Sequence, residues 1–382
     1  MPTNRKILIL IDWFLPGIKA GGPIKSVSAI VNQLHDNFDF YILTTDTDFG
    51  DKKPYHNITS NEWVDYEGKS KICYLSKEKT NATTIAETIA LIEPDAIYIN
   101  SFYSKFFSII PLKILKKINF HGKIILAPRG MLSPGALQIK YFKKKTFILF
   151  AKLIGLHENI VWHSTKADET IDIKRVYRNA KIIEIQNLPD VKLQVPNPTK
   201  NKQSGELRLI YLGRIAENKN LILLLNALHK IDVGSVILDI YGNIEDKTYW
   251  NKCENVIENL ESNITVQFKG ILSTELVQQT ISKHHYLVLL SYSENYGHAI
   301  VEAFSCGTPV IISNATPWKD LPFSNAGWDV EINSIEPTIV ALRSAIAQNN
   351  ETYQQQAIGA YNFAKKNCFD ERIKQDFIEF FN

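Results

Sequence analysis

Ser293-Glu294-Asn295-Tyr296-Gly297-His298-Ala299-Ile300-Val301-Glu302-Ala303-Phe304-Ser305-Cys306-Gly307-Thr308-Pro309-Val310-Ile311 is the stretch that decides the fold. The apolar run Tyr286 to Leu290 precedes it and reads as a buried strand. Good helix formers fill Gly297 to Cys306, Gly307 stops them and Pro309 opens the next strand. Glu294 therefore falls in the turn and Glu302 on the helix. A helix that opens after a parallel strand points N–H groups without intrahelical acceptors at the strand end, where its dipole also favours an anion such as a diphosphate. That ligand would meet the backbone of Asn295, Tyr296, Gly297, His298 and Ala299, and Gly297 lets it approach closely. Glu302, more than one turn further on, suits two hydrogen bonds from a vicinal diol such as a ribose. Taken alone, two glutamates eight apart read more readily as a cap and a solvated face residue than as a ligand site.

The same strand-then-helix alternation runs outward in both directions. In the second half the strands are Arg208 to Leu212, Val236 to Tyr241, Ile264 to Phe268, Tyr286 to Leu290 and Pro309 to Ile312. In the first half they are Ile7 to Ile11, Phe40 to Thr44, Ala96 to Ile99, Lys123 to Ala127, Ile160 to Trp162 and Lys181 to Ile185. Short apolar runs alternating with stretches of helical period imply βα units and parallel sheets. The proline-marked, polar segment Val195 to Gly205 interrupts the pattern. The reading is an N-terminal domain over 1–190, a linker over 191–205, a C-terminal domain over 206–365 and a last helix over 366–382 that packs back on the N-terminal domain.

A length of 382 residues fits two domains. With 45% hydrophobic and 22% charged residues the chain is neither disordered nor a multispanning membrane protein. A net charge of +3 is far below that of a dedicated nucleic-acid binder, so no nucleic-acid partner is expected. Cys73, Cys253, Cys306 and Cys368 are scattered, with no metal or disulfide spacing. Ile7 to Ile11 is too short for an export signal or a membrane span, which points to the cytoplasm.

The 293–311 stretch resembles the E-x7-E signature of retaining glycosyltransferases of family 4, which have the GT-B fold. Tyr211-Leu212-Gly213-Arg214-Ile215-Ala216-Glu217-Asn218-Lys219-Asn220 is similar to the family's G-R-x4-K element, whose arginine and lysine contact the donor diphosphate. The chemistry agrees: cleaving a nucleotide-sugar bond leaves negative charge on the diphosphate, which fixed cations stabilise. The resemblance implies an α/β protein with two doubly wound Rossmann-like domains facing each other across a cleft. It further implies a metal-independent retaining transferase that uses a nucleotide-diphosphate sugar of UDP or GDP type and no cofactor. Glu294 would orient the sugar and stabilise positive charge. Arg214 and Lys219 would clamp the diphosphate, Glu302 would take the ribose, and the turns at Gly242 and Ile271 would flank the base. Gly21 and Gly22, in a glycine-rich loop after the first strand, would approach the donor phosphates and the transferred sugar. Many relatives have a histidine where this chain has Arg129, which could bind the sugar, the diphosphate or an anionic acceptor, or pair with a carboxylate.

The acceptor is expected to be a saccharide of O-antigen, capsule or exopolysaccharide assembly, with Lys140 and His163 as acceptor-side candidates; a satisfied structural histidine is the other reading of His163. Along Ile139 to Leu153, the residues Ile139, Phe142, Thr146, Leu149, Phe150 and Leu153 share one helical face and lysines gather elsewhere. Such a helix either packs its apolar face inward or docks on an anionic membrane, which would suit a lipid-linked acceptor. Asp46-Thr47-Asp48 has the form of a D-x-D metal pair, but a metal would duplicate the two cations. A GT-B epimerase and a non-catalytic nucleotide-sugar-binding subunit are the alternative functions.

Overall fold

The computed structural model describes residues 4–138, 140–196 and 201–382. The chain divides into two compact units, Met1–Asp190 with Glu371–Asn382, and Val191–Asp370. Among the described residues, no helix is long and apolar enough to cross a membrane.

The first unit carries an eight-stranded sheet of order β3-β4-β2-β1-β5-β6-β7-β8. Its strands are β1 (Arg5–Leu10), β2 (Phe38–Thr45), β3 (Trp63–Tyr66), β4 (Ser70–Leu75), β5 (Ala96–Ile99), β6 (Lys123–Leu126), β7 (Val161–Ser164) and β8 (Lys181–Glu184). Every neighbouring pair is parallel except β3 with β4. The helices are α1 (Gly22–Leu34), α2 (Ala82–Ile92), α3 (Ile110–Lys117), α4 (Pro134–Gln138), α5 (Tyr141–Leu153) and α6 (Ala167–Val176). Because strand side chains alternate, β1 feeds two cores. Ile7 and Ile9 pack with Val27, Ile30 and Leu34 of α1, whereas Leu8 and Leu10 pack with Ile85 and Ile89 of α2 and Leu112 of α3. A sheet covered on both faces is what a continuous apolar strand run demands.

The second unit holds a six-stranded, wholly parallel sheet of order β11-β10-β9-β12-β13-β14. These are β9 (Glu206–Leu212), β10 (Ser235–Tyr241), β11 (Ile264–Gly270), β12 (Tyr286–Leu289), β13 (Val310–Ser313) and β14 (Gly327–Val330). The helices are α7 (Leu221–Leu228), α8 (Lys247–Ile257), α9 (Val277–Ile281), α10 (His298–Ser305), α11 (Glu336–Ala347) and α12 (Asn350–Asn367). Two doubly wound α/β sheets in tandem are the GT-B fold class.

Two boundaries differ from those read in the sequence. The stretch read as a linker is tied into the second unit: the Gln194 amide donates to the Ser305 carbonyl at 2.7 Å and the Gly205 amide to the Ile346 carbonyl at 2.9 Å. Residues 197–200 of that stretch lie outside the described residues. The C-terminal helix read from 366 is the end of α12 followed, after a break at Cys368–Asp370, by α13 (Glu371–Phe381). That last helix belongs to the first unit, where Ile373, Phe377, Phe380 and Phe381 join the core under α1.

Candidate functional site

Both sheets have a topological switch point, the place where open α/β sheets bind ligands at the carboxyl ends of their strands. In the second unit the order turns between β9 and β12, and there the two sequence motifs meet. Lys219, in a short turn of helix after β9, forms an ion pair with Glu294 in the β12–α10 turn. The two side chains are only 15% and 10% exposed, so the pair is largely withdrawn from water. Ser291 donates its hydroxyl to the same Glu294 oxygen at 2.7 Å, and the Tyr292 amide donates to the Asn218 carbonyl at 3.0 Å, joining the two loops. Arg214 pairs with Glu245 beyond β10, nearer the solvent. Glu245 and Ser291 carried no motif in the sequence; both act through partners that only the folded chain brings near.

Gly297 caps α10 with φ +75°, and a Cβ there would press on Ile300 Cδ1 at 2.8 Å. The first-turn amides of α10 follow it, beside Glu294. Asn295, His298 and Ala299 are partly exposed at this turn. Tyr296 offers only its backbone, since its ring is buried 5.4 Å from that of Trp318, whose indole N–H donates to the Tyr296 carbonyl at 2.6 Å. Glu302 is 3% exposed, under the first turn. Gly242, after β10, has φ +153° and lies against the β9 loop: a Cβ would sit 1.8 Å from the Gly213 carbonyl oxygen. Ile271, just past β11, is exposed at the same rim.

In the first unit the switch lies between β1 and β5. Gly21 and Gly22 open α1 after β1, with Pro23 in the first turn. Ser104 bridges the switch by donating to Asp12 Oδ1 at 2.7 Å, and burial holds the Asp12 carboxyl above its ordinary pKa. The D-x-D carboxylates serve the protein itself. Asp48 Oδ2 accepts from the amides of Ile18 and Lys19 at 2.9 and 3.2 Å, and Asp46 accepts from Ser60 at 2.8 Å. Among the described residues no group of three His, Cys, Asp or Glu side chains is arranged to hold a metal.

Arg129 follows β6 in the left-handed region, φ +53°. Its guanidinium donates to Asn100 at 2.9 Å, Asn187 at 2.7 Å and the Tyr98 hydroxyl at 2.9 Å, three neutral oxygens that fix it without cancelling its charge. Tyr98 in turn meets His163 Nδ1 at 2.7 Å, while His163 Nε2 reaches the Ile185 carbonyl at 2.9 Å. Since the Tyr98 oxygen accepts from Arg129 and Ile185 offers only a carbonyl, the imidazole carries its proton on Nε2 and receives the tyrosine hydroxyl. Burial pushes the His163 pKa down to about 3 and the Tyr98 pKa up to about 12. His163 is thus corrected from an acceptor contact to a neutral brace behind Arg129: it has no exposed surface and packs on Phe377 and Phe380 of α13. Lys140 is exposed at the start of α5, with φ +54°.

The comparisons with known proteins agree with the fold. Residues 197–363 match the family described as Glycosyl transferases group 1. An uncharacterized 41.2 kDa protein in the cps region of Klebsiella pneumoniae is 22% identical over 288 residues, 68% of this chain and 76% of the relative. O-antigen chain mannosyltransferase B of Escherichia coli is 24% identical over 172 residues, 43% of this chain and 44% of the relative. Among solved structures, Anabaena HepE in complex with UDP and glucose superposes with a TM-score of 0.73 at 15% identity, covering 99% of each chain. These findings show the GT-B fold and a similarity of residues 197–363 to the group 1 glycosyl transferases.

Proposed function

We propose that this chain is a metal-independent retaining glycosyltransferase of family 4 that moves a sugar from a nucleoside-diphosphate donor to a saccharide in surface-polysaccharide assembly. The observation that carries the reading is the meeting of Lys219 and Glu294 at the switch point of the second unit, beside the opening turn of α10. The Klebsiella cps-region and Escherichia coli O-antigen relatives support the polysaccharide setting, and the UDP held by the Anabaena neighbour makes a uridine donor the first to try, with GDP donors next.

In this reading the diphosphate lies on the α10 amides and is clamped by Arg214 and Lys219, Glu302 takes the ribose hydroxyls, and the turns at Gly242 and Ile271 flank the base. An arriving diphosphate competes with Glu294 and Glu245 for the two cations, so donor binding exchanges protein ion pairs for ligand ion pairs. As the anomeric bond lengthens, negative charge grows on the leaving phosphate, where the cations stabilise it, and positive charge grows on the sugar, facing the Glu294 carboxylate. The leaving phosphate oxygen takes the acceptor proton on the same face, which retains the configuration. Arg129, Lys140 and the Gly21-Gly22 loop form the first unit's contribution, toward the acceptor and the transferred sugar. A lipid-linked acceptor and peripheral contact with the cytoplasmic face of the membrane belong to the same reading.

The test is Glu294→Ala with donor and acceptor pools. Transfer is expected to fall about 100-fold or more while UDP still raises the melting temperature. Near-normal transfer by Glu294→Ala would remove the site assignment.

A further inference from the structure

We propose that the outer face of α5 docks on an anionic lipid bilayer. The apolar face read in the sequence is the one the fold turns outward: Phe142 is 83% exposed, Leu149 70%, Phe150 54% and Leu153 82%. The expected Ile139 of that face lies outside the described residues. The inward side is held by Phe147, Ile148 and Ala151, with the Phe147 ring 5.7 Å from that of Phe102 and 5.6 Å from that of Tyr103. The alternative of an inward-packed apolar face is thereby overturned. Large apolar side chains at successive turns of one helix, all facing water, form a patch of the kind that marks an interaction surface.

Charge selects the occupant. Between Asp95 and Glu158 there is no aspartate or glutamate, while the same 62 residues contain ten lysines and Arg129. That segment therefore carries +11 in a chain whose total is +3, leaving −8 on the other 320 residues. Lys143, Lys145 and Lys152 flank the apolar stripe on α5 itself. Lys116 of α3 lies alongside, donating to the Ile154 and Gly155 carbonyls just past the helix. At the same end a cavity of about 810 Å³ is walled by Lys152, Arg175, Arg178 and Lys181, against the single carboxylate of Glu158, which pairs with Lys116. A second copy of this chain meeting the face two-fold would set lysine against lysine, which disfavours a dimer. Leucine and phenylalanine beside lysine, with no acidic residue on α5, fit the boundary between acyl chains and anionic headgroups. The inference deepens the proposed transfer to a lipid-linked acceptor and takes its purpose from that reading.

Vesicle sedimentation without any donor tests it, using phosphatidylcholine alone and phosphatidylcholine mixed with phosphatidylglycerol. The native chain is expected to pellet with the mixed vesicles only, less so as salt rises. Phe142→Ser/Leu149→Ser/Leu153→Ser is expected to weaken that binding about tenfold or more, with an unchanged melting temperature because all three side chains face water. Lys143→Glu/Lys145→Glu/Lys152→Glu is expected to abolish the preference for anionic lipid. Equal binding to both vesicles, no binding to either, or full binding by the serine variant overturns the proposal. So does light scattering that finds a native dimer which the serine variant dissolves. The UDP-induced rise in melting temperature, measured on the same proteins, reports on the donor site separately: its absence counts against the transferase reading whatever the vesicles show.

Discussion

Replacing Lys219 by Met removes the ammonium but keeps most of the apolar stem, and so isolates the ion pair with Glu294. Removing one partner of a fully buried pair costs about 3–5 kcal/mol, whereas exposed pairs are worth about 0.2–1 kcal/mol. At 15% and 10% exposure this pair lies toward the buried limit, and the Ser291 hydroxyl still serves the carboxylate after the change. A loss of about 2 kcal/mol follows, which at the size of the second unit lowers its melting temperature by about 4–8 °C. Glu294→Gln keeps shape and loses the anion, and Lys219→Met/Glu294→Gln should recover much of the loss. Denaturant melts of the four proteins give a coupling energy of about 1–2 kcal/mol if the pair is the cause. The ligand arm has opposite signs for the two sites: Lys219→Met should weaken UDP about tenfold or more, while Glu294→Gln, which releases the lysine, should bind UDP at least as well as the native chain. Additive single losses, or UDP binding weakened equally by both changes, would refute the shared-cation argument.

Three further outcomes are expected. Gly242→Ala, which places a methyl against the Gly213 carbonyl, should cost more than about 2 kcal/mol and remove the UDP-dependent rise in melting temperature; a native-like melt would show that the β9 and β10 loops are not locked together there. Burial lowers the pKa of His157 to about 4 and of His163 to about 3, below the unfolded value of 6.5, so the unfolded state binds protons first as pH falls. Stability of the first unit should be complete above pH 6.5 and decline toward pH 4 by up to about 1.4 kcal/mol per pH unit for each group; denaturant melts across that range should show a shallower slope in His157→Phe, whose ring can keep the stack on Phe102. Transfer should persist in excess chelator, measured as product formed with and without added Mn or Mg, and a strict requirement for either ion would reverse the metal-free reading.

The alternation of strands and helices was legible because parallel strands buried on both faces are continuous apolar runs, as Ile7 to Leu10 and Tyr286 to Leu289 show. Strands β3 and β4 escaped that criterion. Trp63–Tyr66 is an edge strand with an exposed Asp65, and Ser70–Leu75 has lysine within it; their signal is a hairpin about Glu67-Gly68, not a run. Strand β14, Gly327–Val330, opens on a glycine and has Asp329 within it, so it presents no apolar run. At the site, the glutamates and cations were visible as spaced motifs, but their pairing was not. Lys219 and Glu294 are 75 residues apart, and only the insertion of β9 beside β12 brings them together. The companions of Arg129 come from after β5, from β5 itself and from after β8, so no local pattern announced them. For α5, the helical count found the apolar stripe correctly, yet periodicity reports that a face exists and not which way a fold turns it.

The placement of α13 has a consequence for how the molecule is made. Its phenylalanines complete the core beneath β1, so the opening strand waits for a partner that is translated only after the whole of Val191–Asp370. On the ribosome the later-encoded sheet can therefore mature before the earlier one is finished, reversing the usual N-to-C order. A nascent chain arrested short of residue 371 would hold Phe38, Phe40 and Tyr98 without the aromatic edge of Phe381 that closes over them.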